Sequence, residues 1–306
     1  MYIKQAFNYL HDWWRYMLPL LGFLGLMMAN YLVIELLGID VNEFMKDQLE
    51  QKSSNQFFFE NLFPFAIFLG LLFLWIKFVH QQPIKTVTTS RKKVDWGRFF
   101  FGFGLISVFL IGSVSLDYYY NPQDYVLQFE ATPFLILALI CIVFIPFQTS
   151  FEEYLFRGYL MQGIGVMAKN KWMPLIVTSV IFGSMHFLNP EVTKIGPLIM
   201  VYYIGTGFLL GIMTLMDEGM ELALGFHAGN NLVGALLVTA DWTVFQTNSI
   251  LKDVSEPSAG FDILLPVVVM YPIFLGIMAW RYKWTGWGEK LFGTVTPPPE
   301  APAELN

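Results

Sequence analysis

Three short stretches of this 306-residue chain keep polar side chains inside otherwise apolar runs. Glu152 and Glu153 stand in SFEEYLFRGYL, with Arg157 four positions beyond Glu153. His186 stands in SVIFGSMHFLNP, four positions after Phe182, and His227 in LGFHAGNNLVG, four before Asn231. Residues four apart share a helix face, so Glu153 can reach Arg157 as an ion pair. Glu152, about 100° further round the helix, points elsewhere. One carboxylate would then be neutralised while its neighbour faces a cavity. A carboxylate withdrawn from water holds a proton more firmly, which suits a general base. His227 and Asn231 project together, and Phe182 sets a ring beside His186. The chain has four histidines, and the other two, His11 and His80, fall at the edges of apolar runs.

Each pairing also has a plainer reading. Glu153–Arg157 could be a structural ion pair, each histidine an interhelical hydrogen-bond partner, and Asn230 and Asn231 packing glue. These readings leave the conjunction unexplained. Ionisable groups at membrane depth cost about 2.5–3.5 kcal/mol each even on the mildest scale, yet three segments carry them together.

The elements that must position these residues are membrane helices. Hydrophobic residues make up 55% of the chain and charged ones 14%. Apolar runs long enough to span lie near 17–37, 60–79, 99–116, 133–160, 173–189, 197–216, 222–240 and 262–281. Backbone groups in lipid must satisfy one another, so the fold class expected is all-α, a polytopic membrane bundle of about eight transmembrane helices. Gly225 and Gly229 flank His227 and would let a neighbouring helix approach closely. The motifs fall within 132–240, the helical core expected to hold the site. Residues 1–131 supply about three preceding spans and a basic loop, and 241–306 the last span and a Pro-rich tail expected to be disordered.

With alternating spans and a cytoplasmic N-terminus, the cytoplasmic segments 1–15, 77–98, 169–171 and 281–290 hold thirteen Lys and Arg. The outer loops hold four, Lys46, Lys52, Lys194 and Lys252. This bias places both termini in the cytoplasm, in a plasma (inner) membrane. The first apolar run is too long for a signal-peptide core and is expected to stay as span one. The lone Cys141 excludes an intrachain disulfide. The net charge of −6, with no basic aromatic patch, gives no sign of nucleic-acid binding.

One distance is awkward. In a straight helix from Pro133, Glu152 lies about 28 Å along, near the cytoplasmic face, while His186 is about 20 Å from that face. A tilted or broken helix, kinked at Pro146 and crossing between 140 and 165, would bring both to one wet cavity. That cavity is expected to open toward the cytoplasm.

Glu152-Glu153-xxx-Arg157, Phe182-xxx-His186 and His227-xxx-Asn231, in this order, resemble the motifs of the CPBP family of intramembrane endopeptidases, also called the Abi or CAAX-protease family. The eukaryotic member of that family trims prenylated CaaX proteins. The resemblance implies an endopeptidase in which Glu152 and His186 activate water, while His227 and Asn231 stabilise the oxyanion. Glu153, Arg157 and Phe182 would support the site. Were a zinc ion present, Glu152, His186 and His227 would be its ligands, with an open position. The chain lacks H-E-x-x-H, and the similarity to a glutamate-type mechanism favours water activation without metal, so no cofactor is assigned. The implied partners are membrane lipid and a membrane-associated protein or peptide substrate. Two other classes compete: a non-enzymatic scaffold or self-immunity protein using the same cluster, and a proton-coupled transporter. The transporter reading lacks paired half-sequences.

Overall fold

A computed structural model describes residues 1–257, 260 and 263–298. The end of the Pro-rich tail, 299–306, and the first residue of the eighth expected span, Asp262, lie outside the described residues.

The chain is an all-α membrane helix bundle, as its apolar runs demand. Five helices have the length and apolarity to cross a membrane. They are α1 (Trp13–Leu36), α3 (Ser54–Leu74, prolonged by a π turn over Trp75–Val79), α5 (Trp96–Tyr120), the long helix Ala131–Ala168, and α10 (Ile199–Asp217). The expected count of eight crossings rests on three shorter helices. Two are the apolar helices Trp172–Leu188 and Pro266–Tyr282, whose α-helical parts are α8 (Trp172–Ser184) and α12 (Tyr271–Tyr282). The third is α11 (Glu221–Leu237), buried continuously from Glu221 to Gly229. Local sequence starts two helices cleanly. The Ser53 side chain accepts from the Gln56 amide before α3, and Asp95 accepts from the Arg98 amide before α5, each satisfying an otherwise unpaired donor.

Gly225 and Gly229 do what their spacing predicts. A Cβ at Gly229 would lie 2.8 Å from the Phe103 carbonyl oxygen, and one at Gly225 would collide with the Phe99 carbonyl. The missing side chains let α11 pack backbone to backbone on α5, which fixes His227 and Asn231 in depth.

The helix carrying Glu152 departs from expectation. It runs unbroken for 38 residues, and Pro146 lies inside α6 (Ala131–Glu153) without ending it. The irregularity comes later. Tyr154–Leu160 form π turns before α7 (Met161–Ala168) completes the helix. At 1.5 Å per residue this helix is about 57 Å long, well beyond the roughly 30 Å of a hydrocarbon core. At the usual tilts of about 0–40° a helix that long extends past the core, so Glu152, near its middle, needs no break to lie at depth.

The two ends of the bundle differ. At one end, β1 (Tyr125–Leu127), β2 (Val238–Ala240) and β3 (Leu251–Asp253) form a small sheet in the order β1-β3-β2. Here β3 pairs antiparallel with β1, Val126 opposite Lys252, and parallel with β2, Thr239 opposite Lys252. The other end holds the 3-10 turn Ile3–Asn8, α4 (Ile84–Thr88), and an ionic knot. In the knot Arg91 reaches Asp217 at 2.7 Å and Glu221 at 3.0 Å, and Arg98 reaches Asp217 at 2.8 Å. The four loops rich in Lys and Arg all emerge at this second end.

Candidate active site

The site begins at the junction of α6 and the π turns. Glu153 and Arg157 are both fully buried and joined at 2.9 Å, as their spacing predicts. Arg157 also donates to the Gly207 carbonyl of α10 at 3.2 Å, and its guanidinium stacks 4.1 Å from the Phe182 ring. Glu153 has a second partner that spacing could not show. His227 Nδ1 lies 2.8 Å from the same Glu153 oxygen that Arg157 holds. Glu153 thus sets the tilt of the His227 ring as well as balancing a buried cation.

Glu152 lies on the neighbouring face. Its Oε1 accepts from Gln148 Nε2 at 2.6 Å, one turn earlier on α6. Its Oε2 is buried without a hydrogen-bond partner, 3.6 Å from His227 Nε2. Asn231 Nδ2 donates to Gln148 Oε1 at 3.0 Å and lies 3.5 Å from His227 Nε2. Asn230 Nδ2 in turn donates to Asn231 Oδ1 at 3.1 Å. An amide nitrogen carries two hydrogens, so the one not given to Gln148 faces His227 Nε2 and is free for another acceptor when that nitrogen is itself a donor.

His186 joins from the end of the Trp172–Leu188 helix. Its Nδ1 meets the Phe182 carbonyl at 2.9 Å, and its ring stacks on Tyr203, with centroids 4.4 Å apart. The Phe182 ring sits 5.1 Å away, beside the imidazole as expected. No hydrogen bond joins His186 to Glu152. Instead, both line one cavity of about 430 Å³ together with His227 and Asn231. The four predicted residues therefore share a chamber, and two of them, Glu152 and Asn231, are linked through Gln148.

One expectation changes. The cavity reaches Asn189, Val244 and Phe245, all at the sheet end of the bundle, rather than opening toward the basic end. Among the described residues no group of three or more His, Cys, Asp or Glu is placed to hold a metal ion. No step is therefore derived through a metal.

Sequence reasoning missed Gln148, Tyr203 and Glu191. Gln148 had a signal: it sits four residues before Glu152, in an apolar run, on the same helix face. Tyr203 had none, because aromatic residues crowd the chain. Glu191, 7% exposed in α9 (Pro190–Ile195), accepts from the Val244 amide at 2.8 Å, and its Oε2 has no partner. It ties the loop after β2 down beside the cavity.

Comparison with known proteins agrees with the motif reading. Residues 131–233 match the model of the family described as type II CAAX prenyl endopeptidase, Rce1-like. That stretch runs from the start of α6 almost to the end of α11 and contains every motif residue. The chain is also similar to the uncharacterized protein YyaK of Bacillus subtilis (strain 168), at 28% identity over 277 residues, covering 88% of this chain and 92% of that one. No solved structure matches the chain.

Proposed function

On the match of residues 131–233 to the Rce1-like type II CAAX prenyl endopeptidase family, we propose that the protein is an intramembrane endopeptidase that hydrolyses a peptide bond of a membrane-associated chain. The observation that carries this reading is the state of Glu152. One of its oxygens is fixed by Gln148, and the other is buried, unpartnered and on a cavity wall. A carboxylate so placed is costly to bury and suited to taking a proton.

In the proposed reaction a water lies between Glu152 Oε2 and the His186 ring, which supplies its second hydrogen-bond partner. Glu152 takes a proton as the water oxygen attacks the scissile carbonyl carbon. The resulting oxyanion accepts from the free hydrogen of Asn231 Nδ2 and from Nε2 of His227 in its doubly protonated form. Glu153, bound to Nδ1, aims that ring. When the C–N bond breaks, the proton held by Glu152 passes to the departing amine. Each oxyanion donor would contribute about 10²–10³ in turnover.

The test compares cells carrying the native chain with cells carrying Glu152→Gln, mapping new protein termini in the membrane fraction. Glutamine keeps the shape and the Gln148 contact but cannot accept the proton. Termini present only with the native chain are expected. Identical terminus maps from equally expressed, equally stable proteins would favour the scaffold or self-immunity reading instead.

A further inference from the structure

The cavity's position relative to the two ends of the bundle bears on where its substrate comes from. Below Glu153 and Arg157, toward the basic end, the bundle is sealed. Tyr2, 1% exposed, inserts its hydroxyl between Val87 and the π turns, donating to the carbonyls of Val87 and of Arg157, the latter at 3.1 Å. Tyr154 and Thr88 close the next gap with a hydroxyl–hydroxyl bond of 2.8 Å. Met220 is fully buried there, and the Arg91–Asp217–Glu221 knot lies beneath. At the opposite end the cavity wall includes Val244, which is 40% exposed, with Phe245 and Asn189 beside it.

The sealed end carries the thirteen Lys and Arg of the loops, and the open end carries four. Short basic loops stay on the cytoplasmic side of a membrane. Combining the two, we propose that the active cavity opens on the non-cytoplasmic face, and that its substrate is an exported polypeptide segment lying at the outer leaflet. The position of the cavity is independent of catalysis; the substrate class rests on the peptidase reading above. On this arrangement a cytosolic CaaX terminus has no route to Glu152, because Tyr2, Val87 and Met220 stand in its way.

The reach of the cavity is tested by cysteine labelling in a Cys141→Ser background, which removes the lone native thiol. Val244→Cys reports the cavity lip, and Lys93→Cys, an exposed residue of the basic loop, reports the other end. Spheroplasts and inverted membrane vesicles are each treated with a membrane-impermeant maleimide. Val244→Cys labelled in spheroplasts, with Lys93→Cys labelled only in inverted vesicles, is the expected result. The reverse pattern, or equal labelling of either thiol from both sides, overturns the proposal. The substrate class is read from the terminus map. Glu152-dependent termini should fall in exported segments, and termini confined to cytosolic segments would overturn it. Outward labelling with no Glu152-dependent terminus at all would remove the peptidase reading and the substrate class while leaving the facing of the cavity established.

Discussion

Arg157→Met removes one charge from a pair with no access to water, so its cost can be worked from the contacts. The guanidinium is held by Glu153 at 2.9 Å, by the Gly207 carbonyl at 3.2 Å, and by the Phe182 face at 4.1 Å. Methionine fills much of the volume but strands the Glu153 carboxylate, leaving it His227 alone. Breaking a fully buried pair in this way costs about 3–5 kcal/mol. Glu153→Gln strands the guanidinium and should cost a similar amount, although its amide oxygen can still accept from His227 Nδ1. In the double variant neither member of the pair is left to strand the other, and the loss should fall short of the summed single losses by a coupling near the upper end of about 0.5–3 kcal/mol. Arg157→Lys should be intermediate, because an ammonium keeps the charge but not the flat face over Phe182 or the branch to Gly207. Unfolding in mixed micelles by SDS titration, followed by near-ultraviolet circular dichroism, measures all four proteins. Additive single losses, to within about 0.5 kcal/mol, would refute the coupling.

Asn231→Ala should lower turnover about 10²–10³ by removing an oxyanion donor. Asn230→Ala, which removes only a support to Asn231 Oδ1, should lose far less, so equal losses in a peptide-cleavage assay would count against the assignment. Gln148→Leu removes the bonds at 2.6 and 3.0 Å that hold Glu152 and Asn231. It should reduce kcat strongly while the melting temperature moves little; unchanged kcat would show that Glu152 is oriented by something else. Gly225→Ala should lower the melting temperature by forcing α11 off the Phe99 carbonyl, whereas Gly234→Ala, whose new Cβ would meet nothing within 4 Å, serves as the neutral control. Burial raises the pKa of Glu191 above the usual carboxylate range, against the opposing effect of the Val244 amide bond. A raised value in the docked loop means docking is favoured most below the ordinary carboxylate range and weakens as pH rises through the raised value. Exchange of the Val244 amide, corrected for its intrinsic pH dependence, should therefore quicken over that interval, and Glu191→Gln should flatten the response.

The legible part of this site is the part that helical spacing controls. Glu153 meets Arg157, Phe182 flanks His186, and Gly225 and Gly229 bring α11 onto α5, all because of fixed steps along a helix. Contacts between distant segments were hidden. His227 approaches Glu153 across 74 positions, and Gln148 meets Asn231 across 83. No period in the sequence encodes either. The π turns over Tyr154–Leu160 left no mark, since the local composition is ordinary for a helix. The sheet was missed because each of its strands is three residues long, too short for alternation to register. Which end of the bundle the cavity reaches was hidden for a related reason. Charge counts sort the ends of the helices, but only the packing of Tyr2 and Val87 shows which end is stoppered.

Tyr2 carries a consequence for how the molecule is assembled. Its hydroxyl binds carbonyls 85 and 155 positions away, and its thioether partner, Met220, is 218 positions away. Synthesis runs from the N-terminus, so this tyrosine leaves the ribosome long before Arg157 and Met220 exist. It must remain undocked while the remaining helices insert. The start of the chain is thus among the last parts to settle, and its docking completes the wall beneath Glu153 and Arg157. In a nascent protein halted before Met220, the buried ion pair would lie above an unfinished floor.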